Sequence, residues 1–90
     1  MDQYLIIKTM VDIDENISTE AILKYKKFEA EVEFYSIIDN FYSKLIQDNK
    51  IMHFEEFNIE DYGDIVRGKD FFEFKDFEGH INFKVELKRL

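Results

Sequence analysis

The chain has 90 residues with 20 acidic and 12 basic side chains, a formal charge of -8, ten Phe, five Tyr and no Cys, Pro or Trp. At 46% hydrophobic residues it is too apolar for a disordered acidic tail, and its length fits one domain over residues 1–90. The lack of Cys excludes disulfides, thiolate catalysis and zinc–thiolate sites, and the negative balance opposes direct binding to nucleic acid or an anionic membrane.

In chain order, residues 4–13 alternate as a strand, with Leu5, Ile7, Thr9, Val11 and Ile13 on one face. Asp12 to Asn16 is a polar break. Ser18 fits a helix N-cap, with Ile17 and Ile22 spaced as a hydrophobic staple. From Thr19 to Asp48 there is neither Gly nor Pro, and Ala21, Tyr25, Phe28, Val32, Tyr35, Ile38, Tyr42 and Leu45 form a stripe at helical spacing.

As one helix over 19–48 this segment would measure about 45 Å, longer than a compact globule roughly 31 Å across. Either it breaks near Glu29–Glu33, where Glu31-Val32-Glu33-Phe34 alternates like a strand, or its overhang meets a partner, which leaves a homodimer open. Beyond it, Ile51 to Ile59 is mixed in character and Gly63 and Gly68 punctuate the chain. Phe71 to Phe77 reads as an aromatic strand. A Glu78-Gly79 turn leads into His80 to Leu87, which points Ile81, Phe83, Val85 and Leu87 inward. The expected fold is α+β: one long helix packed on a mostly antiparallel sheet of about four strands, in the order β-α-β-β-β.

Few residues carry recognisable chemistry. Asp12, Asp14, Asn16 and Glu20 match ligand positions of a calcium loop, but Ile17 stands where that loop needs Gly and Leu23 where it needs Glu; a polar turn is the simpler reading. His53 and His80 have no Ser, Cys or Asp at triad or metal-pair spacing. Gly63-Asp64 followed by Glu73-Phe74-Lys75 has a spacing that resembles the PD-(D/E)xK nuclease family. The resemblance implies Mg²⁺ held by Asp64 and Glu73, with Lys75 at the attacked phosphate. Gly63 replaces that family's Pro, and the net charge would repel DNA. The competing reading makes Glu73 and Lys75 the solvent face of a strand whose Phe72 and Phe74 point inward.

The carboxylates themselves are the remaining candidates. Residues 51–66 hold Glu55, Glu56, Glu60, Asp61 and Asp64 before the first basic residue at Arg67, and residues 9–23 hold Asp12, Asp14, Glu15 and Glu20 with no base. Lys24, Lys26 and Lys27, and Lys84, Lys88 and Arg89, offset them elsewhere, so the charge is polarised.

The resulting expectation is a small non-enzymatic binding protein without cofactor, catalytic residue or metal site. Glu55, Glu56, Glu60, Asp61 and Asp64 would meet a basic protein partner, such as a nucleic-acid-binding enzyme, with a Phe or Tyr as apolar anchor. In size, acidity and AT-rich residue bias the chain resembles phage-encoded inhibitors of host defence, among them anti-CRISPR and anti-restriction DNA mimics. The alternatives are a Mg²⁺-dependent nuclease and a toxin-neutralising immunity protein. Leu5-Ile6-Ile7 is too short for a signal sequence, and no run reaches the length of a membrane span. A cytoplasmic location is expected, that of the host if the chain is phage-encoded.

Overall fold

A computed structural model describes every residue except Met1, Ile13, His53, Phe54 and Glu56. It is α+β. The elements are β1 (Tyr4–Val11), β2 (Ile17–Lys24), α1 (Lys27–Asp48), a 3₁₀ turn (Ile59–Asp61), β3 (Gly63–Gly68), β4 (Phe71–Asp76) and β5 (Asn82–Arg89). The strands form one antiparallel sheet in the order β2-β1-β5-β4-β3, and α1 lies across one of its faces.

Two expectations need correction. There are five strands among the described residues, not four, and the helix follows two of them. Residues 19–24 leave the expected helix because the polar break closes a hairpin. The Asp12 carboxylate accepts from the N–H groups of Asp14 (3.0 Å) and Asn16 (2.9 Å), which folds the chain back so that β2 pairs along the whole of β1. Ser18 therefore lies in a strand and caps nothing. The shortened helix runs unbroken through Glu29–Glu33. Its 22 residues span about 33 Å, within the 44 Å long axis of the molecule. The stretch Ile51–Ile59 contributes no strand among its described residues.

The stripe that α1 buries also differs from the expected one. Ala30, Phe34, Ile37, Phe41 and Leu45 enter the core, while Tyr25, Phe28, Val32 and Tyr35 are exposed. Phe41 stacks on Phe83 (centroids 4.2 Å apart, 2° between planes), with Phe72 and Phe74 at its edges. The sheet contributes Tyr4 and Ile6 from β1, Phe72 and Phe74 from β4, and Phe83 and Val85 from β5. The face of β1 that carries Leu5, Ile7, Thr9 and Val11 therefore points away from the helix.

The open face of the sheet divides in two. Register places Leu5, Ile7 and Val11 beside Leu23, Ala21 and Ile17, an apolar half. Across β5, β4 and β3 the same face carries Lys84, Glu86, Lys88, Glu73, Lys75 and Asp64. Lys84 reaches Glu86 at 2.7 Å, and Lys88 reaches the same carboxylate at 3.5 Å.

Candidate partner-binding surface

In an antiparallel sheet, alternate strand ends share one edge. The end of β1, the start of β2, the start of β5, the end of β4 and the start of β3 all lie together. The β1–β2 turn therefore brings Asp12, Asp14 and Glu15 to the same end as Asp76 and Glu78 of the β4–β5 connection and Glu60 and Asp61 before β3. The two base-free stretches of the sequence thus converge in space. The opposite end holds Lys24, Lys26, Lys27, Lys69, Lys88 and Arg89. The helix starts at the basic end and finishes at the acidic one.

Each acidic connection is held by its own local chemistry. In the β1–β2 turn, Glu15 adopts a left-handed φ of 64° and donates its N–H to the Asp12 carbonyl. The Asp12 carboxyl is held below the ordinary carboxylate range, foremost by the Asn16 N–H, then by the Asn16 side chain, the Asp14 N–H and the charge of Lys44. Asp14 and Glu15 are left exposed.

Between α1 and β3, the helix stops with Lys50 at a left-handed φ of 54° and the Ile51 N–H bonded to the Ile46 carbonyl, a Schellman-type end. The following chain is pinned by an aromatic file in which Phe57 lies between Tyr42 (6.2 Å) and Tyr62 (5.5 Å). Ile59 is buried, and Asn58 caps the 3₁₀ turn by accepting from the Glu60 N–H. With these neighbours fixed inward, Glu60 and Asp61 have only the solvent side.

In the β4–β5 connection, Asp76 accepts the Ile81 N–H on its side chain (2.9 Å) and the Gly79 N–H on its carbonyl (3.0 Å). Gly79 sits at φ 74°, where only glycine is free of strain. The loop projects Phe77, 64% exposed, between Asp76 and Glu78. A cleft of about 290 Å³ opens beside it, lined by Asp61, Asp76 and Glu78 with Tyr62, Phe77 and Leu45, and no Lys or Arg lines it.

Of the residues named from sequence, Glu60 and Asp61 lie on this end. Glu55 is exposed in the preceding segment, and Glu56 lies outside the described residues. Asp64 is the second residue of β3, directly opposite Lys75, at the margin of the acidic end. Asp76, Phe77 and Glu78 belong to the surface and are missing from that set. Their signal was the Asp-Phe-Glu-Gly string, an aromatic flanked by acids in a turn.

The register also brings Asp64, Glu73 and Lys75 to one face, Asp64 and Glu73 as diagonal neighbours about 7–8 Å apart. Each faces or adjoins an unlike charge: Asp64 opposes Lys75, and Glu73 opposes Lys84. Among the described residues no three His, Cys, Asp or Glu side chains converge as metal ligands. No described helix is long and apolar enough to cross a membrane. No protein-family model, curated protein or solved structure matches the chain.

Proposed function

We propose that the protein binds and covers a basic surface on another protein, using the acidic end of the sheet. The observation that carries this reading is the convergence of two separate base-free stretches, together with the β4–β5 turn, around a cleft with an exposed Phe77. Like charges gathered together repel one another and lower stability, and here Lys44 near Asp12 and His80 at 3.2 Å from Glu78 offset part of that repulsion. The concentration of acids at one end, joined to an aromatic that could have been buried, is the arrangement of an anchor ringed by charge that a cationic partner completes. Such a surface competes with phosphates for a nucleic-acid-binding groove, and it serves a defence inhibitor and an immunity protein equally.

The test uses a Lys/Arg-rich peptide as probe, titrated at increasing salt. Binding should fall steeply with ionic strength. Combining Asp14→Asn, Glu15→Gln, Glu60→Gln, Asp61→Asn and Glu78→Gln should weaken it by about tenfold or more. Neutralising carboxylates at the other end (Asp2, Glu29, Glu31, Asp70) should change it little. Equal losses from both sets would show that net charge alone is read, and would end the proposal.

A second reading is a Mg²⁺-dependent nuclease, favoured by the common face of Asp64, Glu73 and Lys75. It predicts DNA cleavage with Mg²⁺ or Mn²⁺ that Lys75→Ala abolishes. An intact substrate under both metals removes it.

A further inference from the structure

Strand β2 ends the sheet, and no described residue pairs with its outer edge. The Asp12 N–H donates to the Asn16 carbonyl (3.1 Å). Alternation along the antiparallel ladder then turns the backbone groups of Ser18, Glu20, Ile22 and Lys24 toward β1. Ile17, Thr19, Ala21 and Leu23 consequently aim their N–H and C=O groups outward. The strand has eight residues with no Gly or Pro, and its register with β1 runs without a bulge. An edge this long and regular is a template for another strand.

We propose that β2 of a second copy closes this edge, antiparallel about a two-fold axis normal to the sheet. Side chains on like faces must then oppose one another, which leaves four registers that pair at least five residues of the strand. With Thr19 opposite itself, Ser18 faces Glu20 and no unlike charges meet. With Glu20 opposite itself, like charges meet. With Ala21 opposite itself, Ile22 faces the second copy's Glu20, apolar against charge. With Ile22 opposite itself, Glu20 faces Lys24 at two symmetric positions and Leu23 faces Ala21 at two more. Only this last register pairs unlike charges while keeping apolar side chains together. Glu20 can serve both directions, because only its Oε2 reaches Lys8 of its own chain, at 3.9 Å.

The charge distribution of the whole chain favours the same arrangement. Reversing the strand direction turns the acidic end of each copy toward the basic end of the other, and the two acidic ends lie far apart on opposite sides of the axis. The two acidic ends then point in opposite directions, so each remains open.

Sedimentation equilibrium of the full chain tests this. At high concentration the mass should approach twice 10.9 kDa. Lys24→Glu places carboxylates opposite one another at both symmetric positions and should weaken the dimer about tenfold or more; Glu20→Lys should act alike. Combining Glu20→Lys with Lys24→Glu inverts both pairs and should return the affinity to within about threefold of the original. Circular dichroism melting confirms that each variant is folded. A wild-type chain that stays monomeric overturns the proposal. So does a folded double variant that associates no better than either single one.

Discussion

Gly63 shows how tightly single positions are set in this small core. A methyl group there would strike the Lys75 carbonyl and come within 2.6 Å of the Phe74 ring, so the backbone of β4 would have to move. Gly63→Ala should lower the unfolding free energy by about 1–3 kcal/mol, read from urea denaturation. Arg67 is similarly placed: its guanidinium lies over Phe72 at 5.4 Å and donates to the Tyr42 hydroxyl at 2.9 Å, closing the β3 edge of the core. On the open face, the Glu86 carboxyl is held below its ordinary 4.5, foremost by the hydrogen bond from Lys84 and then by the charges of Lys84 and Lys88. A carboxyl depressed in the folded state adds stability that is present above its unfolded value and lost as pH falls through the folded one. Glu86→Gln should therefore be less stable than the wild type at neutral pH, and the two urea midpoints should converge as pH falls through and below the ordinary carboxylate range.

At the scale of elements, α1 has apolar side chains on two sides. Ala30, Phe34, Ile37, Phe41 and Leu45 face the sheet, and Phe28, Val32 and Tyr35 face solvent, Phe28 being 76% exposed. Ile37→Glu buries a charge against the sheet and should abolish folding, whereas Val32→Glu should leave the unfolding free energy from urea denaturation within about 0.5 kcal/mol of the wild type. Phe41→Ala, which removes the ring stacked on Phe83, should cost about 3–5 kcal/mol, much of what a domain this size possesses. The same doubled apolarity explains what the sequence could and could not reveal. Strands β4 and β5 were legible because Phe72, Phe74, Phe83 and Val85 alternate with charged or polar neighbours. Spacing could not choose between the two stripes of α1, since both recur at three and four residues. In β1, Leu5-Ile6-Ile7 is apolar on both faces, which hid the buried side. Residues 17–24 carry helix-compatible spacing, and only the Asp12 turn, a tertiary choice between pairing with β1 and extending α1, makes them a strand. At the acidic surface, Glu60 and Asp61 were legible as unpaired acids. Asp76 and Glu78 had a local signal in the Asp-Phe-Glu-Gly string, but their grouping with those acids follows from the register of strands distant in sequence.

Taken as a whole, the molecule has an acidic end and a basic end, and the helix runs from the second to the first. Lys26 and Lys27 sit at the positive terminus of the helix macrodipole, no basic residue occupies its last turn and no side chain caps its first, while Glu29 in the first turn offsets part of this. Screening should therefore help the isolated chain: its melting temperature should rise between about 0.01 M and about 0.3 M salt. The variant with a neutralised acidic end should respond less, as thermal melts would show. The acidic end also differs from the rest in what it is made of. Apart from Asp64 in β3 and Asp76 at the end of β4, its charges sit on connections, namely the β1–β2 turn, the 3₁₀ turn before β3 and the β4–β5 loop. The central aromatic cluster of Phe41, Phe72, Phe74 and Phe83 is held by strands and helix. Framework and face can consequently change independently: a handful of substitutions in three short connectors would re-address the protein to a different partner without disturbing a single stacked ring, by selection or by grafting.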